Sequence, residues 1–330
     1  MKTKPSDRKF INQIEKDVVD FLVGKIRGNL WPYLYGTPQD ENDPVRGGIL
    51  YNEMLENEED YYLYKFEAQL FQSKGHLIAS AIGSNATIIE LGPGSEQSLR
   101  QKTLPFLRVC PQLSGYVGID ISQDFLNKGL QVIRSELPEL SVSGTQQDFT
   151  KLESLPDVEK PVIFFKGSTI ANMRQDEVPS FISQIGKLAG KNHSLLLVHD
   201  ANQDEVSLMK AYNNKRMAVF MENIMFRIHR DVDTKGMIPN AFRYEPEWDP
   251  NTYDFKHILT ATQPQKIHFN GEIVEIKEGQ KLHTLSSFKY PIEVFQKLIG
   301  FAGYEPLECF RDRSNRMAAH LFQIKSDASF

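Results

Sequence analysis

Three successive segments end in the residues best suited to chemistry. Thr87-Ile88-Ile89-Glu90-Leu91 runs into Gly92-Pro93-Gly94-Ser95, a strand-like run that breaks at a glycine pair, with a polar residue placed to open a helix. Such a turn lets backbone approach a ligand more closely than a Cβ would allow. A pyrophosphate-binding fingerprint would carry a third glycine at position 97, where Gln97 stands. Tyr116 to Ser122 reads as a second strand closed by Asp120, a carboxylate that can accept both hydroxyls of a ribose beside the crevice. The same carboxylate is also a candidate cap for the following helix, as is Ser122. A third segment from Gly144 ends in Asp148-Phe149, offering one acceptor to an adenine amino group and one ring for contact with it. Together these residues would hold a nucleoside-bearing ligand at the ends of strands.

A parallel sheet must stand behind them. Pro161 to Gly167 and Ser194 to His199 read as fourth and fifth strands, the latter ending at Asp200, with helices between the strands. This alternation predicts a doubly wound, mostly parallel α/β sheet. Pro306 to Phe310 and Ala318 to Ile324 then predict an antiparallel close, after a helix from Pro291 to Gly300. Upstream, apolar spacing predicts helices over 11–26 (with Gly28 as its stop), 49–58 and about 64–82. Trp31, Tyr33 and Tyr35 lie between the first two, on an irregular stretch rich in Pro and Gly. Rings there either pin the loop to the core or line a pocket. Residues 201–285 lack βα alternation, carry helices near 204–213 and 217–230, and show an Asn270-Gly271 hairpin signal. They are expected to form an inserted α+β lobe. The expected division is a core of 66–200 and 286–330, with 1–65 and 201–285 forming a second, substrate-binding lobe.

Composition narrows the functional classes. With 330 residues, 40% apolar and 25% charged, the chain can bury a full core and reads as an ordinary globular protein. A net charge of −5 without a dense basic run argues against a nucleic-acid partner. No apolar run reaches membrane-spanning length, and Met1 to Lys9 has no apolar signal-peptide core, so a cytoplasmic location is expected. Cys110 and Cys309 suggest no disulfide framework. The eight histidines form no metal-ligand spacing, and there is no Gly-x-Ser-x-Gly elbow. His199 and Asp200 are adjacent on a strand and point to opposite faces, which argues against a paired catalytic role.

The Glu-Leu-Gly-Pro-Gly-Ser turn resembles motif I of class I S-adenosylmethionine-dependent methyltransferases. Phe164-Phe165-Lys166-Gly167-Ser168-Thr169-Ile170-Ala171-Asn172-Met173 is more specific: it resembles the F-x-G-S-T-I-x-N segment of the histidine Nα-methyltransferases of ergothioneine biosynthesis. That family also includes fungal enzymes that N-methylate a prenylated tryptophan. The similarity runs on through the Tyr35 loop, Glu59-Asp60-Tyr61-Tyr62, Lys210-Ala211-Tyr212 and Ser286-Ser287-Phe288-Lys289. It implies S-adenosyl-L-methionine as cofactor and methylation of the α-amino group of an amino acid or another small-molecule amine. Glu90, Gly92, Gly94, Ser95, Asp120, Asp148, Phe149, Gly167 and Ser168 fall where the family meets the cofactor. Asn172 and Tyr62 match the residues that position the substrate amine, which makes them the implied catalytic pair. Tyr35, Tyr51 and Tyr212 match positions that bind the rest of the substrate, Tyr212 at its carboxylate.

One departure bears on the acceptor. The histidine-specific enzymes hold the imidazole with a Glu and a Ser two residues apart; Ser287 matches the Ser, but Leu285 stands at the Glu. A leucine cannot accept an imidazole N–H, so the expected acceptor is the α-amino group of an amino acid that need not be histidine, an apolar or aromatic one included, with a tryptophan derivative or peptide amine as the alternative. A silent cofactor-binding module is the reading from another class, and intact Asn172 and Tyr62 argue against it.

Overall fold

The computed structural model describes residues 18, 20–22, 30–232, 234–269 and 272–326. They fall into two compact units, 63–203 with 289–330, and 1–62 with 204–288. The helix expected over 11–26 and the Asn270-Gly271 turn lie largely outside the described residues.

In the first unit the chain lays down β1 (Thr87–Leu91), β2 (Gly115–Asp120), β3 (Val142–Gln146), β4 (Pro161–Phe165) and β5 (Ser194–Asp200). β1 pairs in parallel with both β2 and β4, β2 with β3, and β4 with β5. Every residue of β1, β2 and β4 is buried. Covering both faces of a parallel sheet demands this, and it explains runs such as Pro161-Val162-Ile163-Phe164-Phe165. The strand order reverses between β4 and β1, and the carboxyl ends beside such a switch form the natural ligand crevice of an open α/β sheet. The third segment departs from its expected span. β3 stops at Gln146 because Asp148 turns to cap a 3-10 turn, Phe149–Lys151, accepting from the Thr150 N–H at 2.9 Å.

After Gln203 the chain leaves this unit and builds the other. There β6 (Phe242–Tyr244), β7 (Glu247–Asp249), β8 (Asp254–Ala261) and β11 (Lys281–Phe288) form one antiparallel sheet. β9 (Gln265–Phe269) and β10 (Glu272–Ile276) pair antiparallel across the Asn-Gly position. Helices Gly47–Asn57, Glu205–Tyr212 and Lys215–Asp231 belong to the same unit. The stretch from Leu30 to Arg46 is pinned to the last of these helices: Asn223 Nδ2 donates to Pro44 O at 2.7 Å, Arg227 to Tyr33 O at 2.6 Å, and Arg230 to Asp43 at 2.7 Å. Buried Tyr33 is therefore an anchor, whereas Tyr35 remains exposed. Back in the first unit, β12 (Tyr304–Arg311) and β13 (Met317–Ile324) close the sheet, β13 antiparallel to β5.

At the start of β8, Asp254 is 7% exposed and its Oδ1 has no hydrogen-bond partner. Burial pushes its carboxyl up to about 6, against a hydrogen bond from Ser286. The folded protein therefore holds a proton there that the unfolded chain releases near pH 4, so stability falls as pH rises from about 4 to 6. A shift of this size corresponds to roughly 3 kcal/mol. Asp254→Asn is expected to unfold like the wild type at pH 4 and to be more stable by up to that amount at pH 7.5. Urea midpoints at the two pH values check this; a variant with no gain at pH 7.5 contradicts it.

Candidate active site

The core unit gathers the expected cofactor residues along one edge of its sheet. Gly92 and Gly94 adopt φ of +69° and +75°, a region that L side chains rarely enter, and the turn between them reverses the chain directly after β1. A Cβ added to Gly92 would stand 3.3 Å from Phe149 Cε1, so ring and turn meet with only hydrogen between them. Ser95 opens the next helix, its Oγ accepting from Ser98 N–H at 3.2 Å. Asp120 serves the turn and its own loop together: it accepts from Gly94 N–H at 3.2 Å and from Ser122 N–H at 2.9 Å. Burial raises its carboxyl above the ordinary range, partly offset by those two N–H groups and by Lys166. Ser122 caps the following helix, so that task does not fall to Asp120. Phe149 packs edge-on against Phe165 at 5.1 Å, which fixes the ring.

Two residues expected at the cofactor turn inward instead. Glu90 is 0% exposed, and its carboxylate accepts from Lys166 at 2.9 Å, Thr103 at 2.9 Å and Tyr116 at 2.6 Å. An acid so enclosed braces the turn from inside the core. Lys166 extends the brace, donating also to Pro93 O at 2.7 Å and to Ser98 Oγ at 3.1 Å. Ser168 is left-handed at φ +55° and 4% exposed, and its Oγ accepts from Asp200 N–H at 3.0 Å. Its hydroxyl ties the ends of β4 and β5 together. Asp148 commits Oδ1 to Thr150, leaving Oδ2 3.7 Å from Lys151.

Gly167, at φ +77°, starts the turn that ends at Asn172, the last residue of a 3-10 segment, Thr169–Asn172. Asn172 is half-buried, and no side-chain hydrogen bond engages its amide among the described residues. His199 and Asp200 have separate structural partners. Burial takes the His199 imidazole down to about 4, its Nε2 meets Tyr290 O at 2.9 Å, and Asp200 pairs with Lys289 at 3.1 Å.

The other unit gathers the expected substrate residues into two ring clusters. Tyr35 meets Tyr51 edge-on at 5.1 Å and Phe220 at 5.9 Å. Tyr212, at the end of its helix, packs on Tyr61 at 5.5 Å, Phe255 at 4.6 Å and His257 at 5.4 Å. Leu285 and Ser287 face His257 and Phe255 across the β11–β8 ladder, and all four are buried. His257 Nδ1 in turn meets the Tyr244 hydroxyl at 2.7 Å. Tyr62 is buried and begins the Tyr62–Ile82 helix. Sequence reasoning missed Lys166 although it stands within the quoted segment, and it also missed Glu67 and Lys102. Glu67 carried one weak local signal, an acid placed directly between Phe66 and Ala68.

The strand order β12-β13-β5-β4-β1-β2-β3, the glycine turn after β1 and the acid ending β2 define a class I S-adenosylmethionine-dependent methyltransferase. The residues present would fit that cofactor: Asp120 is an acid that could accept ribose hydroxyls, Phe149 is a fixed ring that could meet an adenine, and the turn lacks the third glycine of a pyrophosphate site. The model of the histidine-specific, S-adenosylmethionine-dependent methyltransferase family matches residues 33–324, and the chain belongs to that family. It is 24% identical to an N-methyltransferase, imqF, of Aspergillus flavus, over 86% of this chain and 80% of that one. Identity to the histidine N-alpha-methyltransferase of Mycolicibacterium smegmatis is 25%, over 70% and 73%. A 4-dimethylallyltryptophan N-methyltransferase, easF, of Epichloe festucae is 22% identical over 81% and 84%. Among solved structures, a methyltransferase from Clostridium acetobutylicum aligns over 84% of this chain and 98% of its own, at TM-score 0.46 and 10% identity. The protein is thus an S-adenosylmethionine-dependent N-methyltransferase. No helix among the described residues is long and apolar enough to cross a membrane.

Proposed function

We propose that the chain methylates the α-amino group of an amino acid whose side chain is apolar or aromatic rather than imidazole. The observation that carries this is Leu285, buried opposite His257 in a wall that includes Phe255 and Tyr212. An imidazole N–H facing leucine would lose its partner, at a cost of roughly 1–3 kcal/mol. A wall of rings and one aliphatic side chain suits a large apolar group instead.

The cofactor supplies a sulfonium-bound methyl group, which leaves as the amine nitrogen bonds to it. The protein's tasks are to bind the amine in its neutral form and to aim its lone pair. Asn172 accepts an amine N–H through its amide oxygen, and the Tyr62 hydroxyl is the second orienting group. Desolvation favours the neutral amine, and its proton passes to solvent. Orientation of this kind contributes much of the acceleration when the electrophile is already strong. Asp120 takes the ribose hydroxyls, Phe149 meets the adenine, and Gly92, Gly94 and Gly167 allow close backbone approach.

Incubation with S-adenosylmethionine and a panel of amino acids and tryptophan derivatives, read by mass spectrometry, tests the proposal. Methylation of an aromatic or apolar member is expected, with histidine at least about tenfold poorer in kcat/KM. Leu285→Glu is expected to narrow that gap. Efficient trimethylation of histidine by the wild type would overturn the reading.

A further inference from the structure

Behind the two turns proposed to meet the cofactor, the core unit holds four buried charged side chains, Glu67, Glu90, Lys102 and Lys166. Lys166 holds the β1 turn through Glu90, Pro93 O and Ser98, as described above. Glu67, from the Tyr62–Ile82 helix, is 1% exposed and divides its carboxylate. Its Oε2 is paired with Lys102 Nζ, itself 5% exposed and lying 4.1 Å over the Tyr64 ring. Its Oε1 accepts from the backbone N–H of Gly167 at 2.6 Å. Burial pulls the Lys102 ammonium below its ordinary range, Glu67 and Glu90 oppose that shift, and nearby Lys166 adds to it. Two acids and two bases are thus enclosed together, joined by the Glu67–Lys102 and Glu90–Lys166 pairs.

The bond to Gly167 is the unusual member. A buried ion pair needs its remaining lone pairs satisfied, but a side-chain donor would serve. Here the acceptor is aimed at the backbone of a turn with φ of +77° and +55° at Gly167 and Ser168. In a trans peptide the N–H and the preceding C=O point in opposite directions. Drawing Gly167 N–H toward Glu67 therefore turns the Lys166 carbonyl away from the network. A carbonyl so aimed is an acceptor suited to a cationic ligand.

We propose that Glu67 is a positioning residue for S-adenosylmethionine: by fixing the Lys166–Gly167 peptide it sets the backbone face that receives the cofactor. The inference rests on Gly167 lying at the cofactor, as the proposed function has it. Lys102 is the counter-charge that holds Glu67 in place, and Lys166 braces the companion turn.

Two double variants separate this role from a structural one, because both remove the same buried charges. Glu67→Gln with Lys102→Leu keeps an amide oxygen able to accept from Gly167. Glu67→Leu with Lys102→Leu does not. Calorimetric titration with S-adenosylhomocysteine is expected to give a Kd within about threefold of wild type for the first and at least tenfold weaker for the second. Melting temperatures of the two should agree within a few degrees. Equal affinities for the two double variants would overturn the proposal. Should the leucine pair not fold, Glu67→Asp, which retracts the carboxylate by one methylene, is expected to weaken binding at least fivefold; unchanged affinity there would overturn it. A wild-type protein that binds the cofactor product but methylates no amine in the panel would instead count against the proposed acceptor.

Discussion

Asn172→Ala is expected to lower kcat at least a hundredfold with the acceptor that the panel identifies, while the Kd for S-adenosylhomocysteine moves by less than threefold. The size follows from the task assigned to the amide. Loss of one orienting contact lets the nitrogen drift from the line of the breaking C–S bond, and misplacement of about 1 Å costs on the order of a hundredfold. The expected separation from stability follows from the structure. The Asn172 side chain is half-buried and makes no hydrogen bond among the described residues, so its removal orphans no buried partner. Backbone bonds of the turn, such as Ala171 N–H to Ser168 O at 3.0 Å, do not depend on it. Single-turnover rates and melting temperatures measured together decide the matter. A variant that keeps its rate would remove Asn172 from the mechanism, and one that loses rate and stability together would make it a scaffold residue.

The largest expected change in stability lies elsewhere in the core. Lys289 and Asp200 are both 0% exposed and sit 3.1 Å apart. Burial pulls the Lys289 ammonium below its ordinary range, and Asp200 opposes that shift. Lys289→Met leaves a carboxylate enclosed without its counter-charge, which costs about 3–5 kcal/mol. Lys289→Met with Asp200→Leu removes both charges and is expected to recover most of the loss, since an apolar pair of similar volume tolerates the same enclosure. Denaturant midpoints of the wild type, the single and the double variant give the coupling directly. A single variant within 1 kcal/mol of wild type would show that water reaches the pair.

The sequence made the sheet legible because a doubly wound parallel sheet leaves a coarse local imprint. Its inner strands are apolar on both faces, so β1 appears with its observed ends, Thr87 and Leu91. Edge strand β3 is mostly exposed and carries no such imprint, and its end was misjudged there. Glycine turns and the acid ending β2 were legible for a related reason: each answers to a backbone need within a few residues. Glu90 shows where this fails. Its position beside the turn was plain, yet its partners Lys166, Thr103 and Tyr116 are distant in the chain, and only the fold shows the carboxylate pointing inward. Glu67 and Lys102 were hidden for the same reason, since an isolated charge on a helix ordinarily reads as solvated surface.

Gln203 Nε2 hydrogen-bonds to Lys289 O, and His199, one residue before the end of β5, meets Tyr290 O through its Nε2. The core therefore releases the chain and takes it back at one place. Everything between Asp204 and Phe288 is, to the sheet, a single excursion with adjoining ends. Insertions of that kind are exchangeable units, because replacing them alters no ladder of the host. A replacement would leave every ladder of the seven-stranded sheet in place, but it would also have to supply new partners for Tyr33, Asp43 and Pro44, which now bond to the Lys215–Asp231 helix.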